Sequence, residues 1–220
     1  MKKQVILICV CFATLDVASG ATWQPSTHEC SLEFPGDGWT LKEGGAINHG
    51  QMLLAAMNQD QTKSVNVLRF QVAPSMSVKD ARFVNGLKKG FTDTGSRLLR
   101  DGYTNLNGRT AYWFTGAKHV KEQQIATLNY SLCENGALYQ LVEESIGAPP
   151  LVDDELVAIL ASFRLHLESS SAPKPVSAGD SIAYQVGRIT GFLLVLILGF
   201  GIVTKLRRKR SGTGNGGTGK

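Results

Sequence analysis

The segment Ile125-Ala-Thr-Leu-Asn-Tyr-Ser-Leu-Cys-Glu-Asn-Gly-Ala-Leu-Tyr-Gln-Leu-Val142 decides the fold class. Its first half alternates Ala126, Leu128, Tyr130 and Leu132 against Thr127, Asn129 and Ser131. That period of two sends successive side chains to opposite faces of a strand. Glu134-Asn135-Gly136 follows, and Asn-Gly tolerates the positive φ angles of a tight hairpin turn. Ala137 to Val142 reads as the returning strand, so the middle of the chain is antiparallel β.

Working outward, Val65 to Val72 places Leu68, Phe70 and Val72 on one face, with Arg69 and Gln71 opposite. Ala111-Tyr-Trp-Phe-Thr115 is rich in aromatic strand formers and follows the turn signal Asn107-Gly108. Ser31 to Pro35 and Gly38 to Leu41 suggest two short strands around a Pro-Gly turn, and Gln51 to Met57 another strand. Helical spacing occurs twice. Ser77 is placed to cap Val78 to Phe91, with Asp80 as the acid of a capping box and Val78, Ala81, Val84, Leu87 and Phe91 as the apolar stripe. Asp153 is placed to cap 154–164, whose Leu156, Ile159, Leu160 and Phe163 form one face. Strands, a helix, antiparallel strands and a terminal helix predict an α+β domain within residues 21–168.

Phe34-Pro-Gly-Asp-Gly-Trp39, the strand leading into Pro74-Ser-Met-Ser-Val-Lys-Asp80, Leu106-Asn-Gly-Arg-Thr-Ala-Tyr112 and the closing Ile159-Leu-Ala-Ser-Phe-Arg164 resemble, in order and spacing, PsbP-like domains and the related Mog-type and DcrB-like proteins. The resemblance covers about residues 28–166. It implies an antiparallel sheet sandwiched by helices, in a family whose members serve mainly in binding or assembly. The metal-binding and GTPase-binding residues of some members have no counterparts in this sequence, so none is carried over.

The two ends read as topology signals. Residues 1–20 carry Lys2 and Lys3, an apolar run from Val5 to Leu15 and the small residues Ala18-Ser-Gly20, the pattern of a cleaved secretory signal peptide. Cys9 and Cys11 do not make this a lipoprotein signal, because Ile8 and Val10 precede them. Residues 169–186, opening with Ser169-Ser-Ser-Ala-Pro-Lys-Pro175, read as a stalk. The uncharged stretch Ile189 to Thr204 covers about 24 Å as a helix, and extension from Val186 through Leu206 matches the ~30 Å hydrocarbon core. A transmembrane helix is therefore expected at 187–206. Lys205, Arg207, Arg208, Lys209 and Arg210 follow it as a stop-transfer cluster that holds the tail 207–220 in the cytoplasm. The expected location is the cell membrane, single-pass, with the domain outside (the periplasm in a Gram-negative source).

Charge supports that division. Residues 1–20 carry +1 and residues 205–220 carry +6 of the chain's net +5, which leaves −2 on residues 21–204. A slightly acidic domain lacks the basic face that displaces phosphate counterions, so nucleic acid is not an expected partner. Gly214 to Lys220 matches GxxxxGK literally, but no strand precedes it and no Ser or Thr follows it, so it reads as a flexible tail.

With the signal removed, Cys30 and Cys133 remain, and an oxidising compartment predicts a disulfide between them. His28, His49, His119 and His166 are scattered, and His28-Glu-Cys30 lacks a second ligand pair at metal-site spacing. No Gly-x-Ser-x-Gly occurs, and Asp153, Asp154 and Glu155 are explained by capping a helix. Glu143 and Glu144 are adjacent in a strand and cannot both face one cleft. Trp39, Tyr112, Trp113, Phe114 and Tyr130 are candidate core, and Asn129-Tyr-Ser131 matches a glycosylation acceptor inside a predicted strand. No catalytic, cofactor or metal residue is assigned. The expectation is a membrane-tethered binding or assembly module with a protein partner and the lipid bilayer at 187–206. The alternative is a sensor or carrier holding a small apolar ligand between sheet and helix.

Overall fold

A computed structural model describes residues 22–47, 50–166 and 182–191. The expected signal peptide at 1–20, residues 169–181 of the expected stalk, residues 192–206 of the expected transmembrane helix and the tail 207–220 lie outside the described residues. The strands are β1 (Thr22–Trp23), β2 (Cys30–Glu33), β3 (Trp39–Glu43), β4 (Ala46–Ile47), β5 (Gly50–Asn58), β6 (Lys63–Gln71), β7 (Arg97–Leu106), β8 (Arg109–Val120), β9 (Gln123–Glu134), β10 (Ala137–Ile146) and β11 (Arg164–Leu165). Helix α1 spans Ala81–Thr92, α2 spans Asp154–Ser162, and a third helix, α3, covers residues 182–191.

The large antiparallel sheet runs β3-β5-β6-β10-β9-β8-β7, with β4 paired to β5. The hairpin read from Ile125 to Val142 lies at its centre, Leu132 opposite Tyr139 and Tyr130 opposite Leu141. Its turn residues Asn135 and Gly136 have φ of 49° and 76°, and Asn107 and Gly108 at the β7–β8 turn have 51° and 86°. These are the left-handed angles for which Asn-Gly is suited. A second sheet, β1-β2-β11, is separate. The strands expected around Pro35-Gly36 therefore exist but belong to different sheets.

Each face of the large sheet carries a core. On one, Val65, Val67, Leu128, Tyr130, Leu132 and Leu141 pack with Leu32 of β2 and with Leu156, Ile159 and Phe163 at α2. On the other, Leu68, Phe70, Phe114, Leu138 and Val142 pack with Phe83, Val84, Leu87 and Phe91 of α1 and with Ile182, Ala183 and Val186 of α3. An antiparallel sheet with helices on both faces is thus the architecture. Asp153 caps α2 as expected, its side chain accepting from the Leu156 N–H at 3.2 Å. Helix α1 starts three residues later than expected, because Asp80 accepts from the Arg82 N–H while Ser77 takes the Lys79 N–H in the preceding turn.

Helix α3 corrects the expected stalk boundary. Residues 182–186 are helical rather than linker, with Ala183 and Val186 fully buried. The seam with α1 is made of small residues. A methyl group at Gly90 would fall on the Tyr184 carbonyl oxygen, and one at Gly187 on the Leu87 carbonyl oxygen. Only hydrogen at these positions lets the two backbones come so close. Among the described residues no helix is long and apolar enough to cross a membrane.

Candidate functional site: a buried polar row beneath the third helix

The residues of β9 that the alternation set opposite its apolar face are buried too. Thr127, Asn129 and Ser131 are fully inaccessible, and so are Gln140 and, to within a few per cent, Ser64, Asn66 and Glu144. Register explains the cluster: Ser131 lies opposite Gln140, and Glu144 lies between Thr127 on β9 and Ser64 on β6. All point to the α1–α3 side. The Ser131 hydroxyl donates to Asn129 Oδ1 at 3.0 Å, and Gln140 Nε2 donates to Ser131 Oγ at 3.2 Å. From above, the Thr190 hydroxyl donates to Gln140 Oε1 at 3.2 Å, and also to the Val186 carbonyl of its own helix at 3.1 Å. Among the described residues, Thr190 is thereby the polar link between α3 and the row.

At the end of the row, Ser64 Oγ donates to Glu144 Oε2 at 3.1 Å. Burial pushes the Glu144 carboxyl up to about 8, against the smaller opposing pulls of the Ser64 hydrogen bond and the Lys118 charge. Burial also lowers the Lys118 ammonium, whose Nζ reaches the Gly191 carbonyl at 3.4 Å. Glu144 Oε1, Asn129 Nδ2 and Thr127 Oγ1 have no hydrogen-bond partner among the described residues. Buried polar atoms in that condition are costly.

Glu143 faces the other way, as a strand requires. It too is inaccessible, neither oxygen is hydrogen-bonded among the described residues, and burial together with the nearby Asp153 charge raises its pKa well above the carboxylate range. Beside it Lys63 bridges Asp153 and Glu155 at 2.8 Å each, and Trp39 Nε1 donates to Glu155 at 2.6 Å. Among the described residues no group of three His, Cys, Asp or Glu side chains is arranged to hold a metal ion. His166 instead pairs with Ser31 at 2.8 Å.

The expected disulfide is not formed: Cys30 and Cys133 are both free. Cys30 belongs to the core on the α2 side, whereas Cys133 packs against the core on the α1 side. The large sheet lies between them, and a disulfide needs Cα atoms within about 7 Å. Burial pushes both thiols up to about 12. Cys133 lines an open cleft of about 640 Å³ with Met76, Ser77, Lys79, Arg109 and Glu134. Asn129 is inaccessible in the folded domain, which closes the glycosylation tripeptide there. Of the candidate aromatics, Trp39, Tyr112, Phe114 and Tyr130 are buried and Trp113 packs partly buried against the core.

Strand β7, not anticipated from the sequence, forms one edge of the large sheet over ten residues. It is exposed along most of its length, with Leu99 at 48% and Tyr103 at 51% accessibility. Its register shifts by one residue between Leu98 and Arg100, a bulge at Leu99.

No family model and no curated protein matches the sequence. Among solved structures, the chain is similar to a protein of Bacteroides thetaiotaomicron VPI-5482, at 13% identity and a TM-score of 0.49 over 70% of this chain and 52% of that one. It is similar to the Ran-binding protein Mog1p of Saccharomyces cerevisiae, at 8% identity and a TM-score of 0.40 over 68% of this chain and 96% of that one. A third is the immunity protein TplEi of the T6SS from Pseudomonas aeruginosa, at 15% identity and a TM-score of 0.37 over 60% of this chain and 47% of that one. The chain thus spans about half the length of the Bacteroides and Pseudomonas proteins. The likeness is one of fold, an antiparallel sheet carrying a few helices, and extends no further.

Proposed function

We propose that the chain is a membrane-tethered binding or assembly module whose folded domain stands outside the cytoplasm and which performs no catalytic step. The tether rests on the sequence of residues 1–20 and on the uncharged run Ile189 to Thr204 followed by Lys205 to Arg210. The observation that carries the binding role is β7, an edge strand ten residues long with Leu99 and Tyr103 exposed on it. Such an edge presents an unpaired row of N–H and C=O groups that an extended segment of a partner protein can join. The carrier alternative needs space between sheet and helix. That space is filled beside α1, where the Phe91 and Phe114 rings lie 4.9 Å apart and the Phe91 ring sits directly on Gly116.

The test is in-cell photocrosslinking of the full chain with the reactive side chain at position 99 and, as a control, at the exposed α2 position 157. A discrete heterologous adduct from position 99, absent from position 157, supports the reading. Self-links alone, or the same products from both positions, contradict it.

A further inference from the structure

Three segments far apart in the chain meet at one end of the large sheet. They are residues 76–79, which lead into α1, residues 107–110 at the β7–β8 turn, and residues 132–134 at the close of β9. Between them lies the open cleft of about 640 Å³ that Cys133 borders. Its volume falls in the range of small-molecule sites.

The walls supply several donors and one acid. Lys79 is exposed, and among the described residues its ammonium has neither a hydrogen bond nor an ion pair. Arg109 meets Glu134 only loosely, Nε to Oε2 at 3.7 Å, too far for a hydrogen bond and with both side chains partly exposed. Its terminal guanidinium nitrogens, the fork that grips a carboxylate with two parallel bonds, have no partner among the described residues. Ser77 Oγ accepts from the Lys79 N–H at 3.2 Å, which leaves its own proton to donate, and Thr110 adds a second hydroxyl. Asp80, next in sequence, accepts from the Arg82 N–H at 2.8 Å and does not line the cleft. Lys79 and Arg109 against Glu134 leave one net positive charge on the lining, within a region 21–204 whose own balance is −2.

One uncompensated positive charge suits a monoanion better than a phosphate dianion, and Met76 and Leu132 give the cleft an apolar border. We propose that this cleft binds a small organic carboxylate with a short apolar body, its oxygens held by Arg109 and Lys79 and its body against Met76. A free carboxylic acid and the C-terminal residue of a peptide present that same chemistry. The site depends on neither the tether nor the β7 edge.

The probe is 3-phenylpropionate, titrated against the full chain in a neutral detergent and followed by saturation-transfer NMR. Saturable binding is expected, weaker by about tenfold for 3-phenylpropionamide and weakened by about tenfold in Arg109→Gln or Lys79→Met, the loss that follows removal of a charged hydrogen bond. Arg82→Gln, exposed on α1 outside the cleft, is the control and should leave the affinity unchanged. Glu134→Gln should tighten binding by about two- to fivefold, because it removes the competing carboxylate, a gain that a merely structural Arg109–Glu134 pair would not give. N-acetyl-Ala-Ala-Phe with a free or an amidated C-terminus separates the two sources. Binding of the free form alone, at least as tight as the probe, assigns the carboxylate to a chain end; binding of the probe but of neither peptide assigns it to a free acid. The proposal is overturned if acid and amide bind alike, if binding does not saturate, or if phenyl phosphate binds more tightly than 3-phenylpropionate. Unchanged affinity in both Arg109→Gln and Lys79→Met would overturn it too.

Discussion

Thr190 and Gln140, fifty residues apart in the chain, meet inside the domain, where the Thr190 hydroxyl donates to the Gln140 side-chain carbonyl at 3.2 Å. Hydropathy alone assigns Thr190 to a lipid-facing helix, yet it serves as a polar cap on the middle of a sheet. The domain therefore continues beyond the Ser- and Pro-rich segment, and its last described element is held by complementarity of small residues as much as by burial.

Gly90→Ala tests that seam. In an exposed helix the exchange stabilises by about 1 kcal/mol through propensity. At position 90 the added methyl meets the Tyr184 carbonyl oxygen. A net loss of about 1–3 kcal/mol in urea unfolding is expected, the usual cost of overpacking. A net gain would show that α3 does not rest on α1.

Leu87→Ala probes the packing beneath. Leu87 is fully buried between α1 and the sheet. Its truncation is expected to lower stability by about 2–5 kcal/mol, according to how far the site collapses. A loss below 1 kcal/mol in the same assay would contradict the burial.

Glu144 makes stability depend on pH with a definite sign. Its carboxyl keeps its proton up to about 8 in the folded state and releases it near 4.5 when unfolded. Between those values the folded chain binds more protons, so stability falls as pH rises, by about 1.4 kcal/mol per unit for one such group. Glu143 acts in the same direction. Glu144→Gln is expected to flatten the profile between pH 5 and 8 and to be more stable than the wild type at pH 8. A wild-type profile that rises across this window would contradict the account.

The cysteines give a chemical check. Two thiols beyond those of residues 1–20 should titrate after denaturation without reductant, and neither should react quickly in the native protein, since burial holds both as thiols. Gel mobility that changes with reductant would indicate the bond after all.

The central hairpin was legible because Asn135-Gly136 fixes the turn and the period of two fixes the faces, and α2 because Asp153 marks its start. Alternation could not reveal that both faces are covered. Thr127, Asn129 and Ser131 look like a solvent face, and only the docking of helices distant in sequence buries them. The same is true of Glu143 and Glu144, whose burial follows from the central place of β10 rather than from their neighbours in sequence. Strand β7 escaped because an edge strand needs no apolar period, and Arg97, Arg100, Asp101 and Gly102 supply none. Helix α3 escaped because a small-residue seam and the start of a membrane span have the same composition.

The tether is tested most directly by protease added to sealed membranes of known orientation that hold the full chain. The account predicts that protease on the outer side removes the folded domain and leaves a short fragment containing Lys205 to Lys220 in the membrane. Digestion of the domain only from the cytoplasmic side, or release of the intact chain by a carbonate wash, would contradict it.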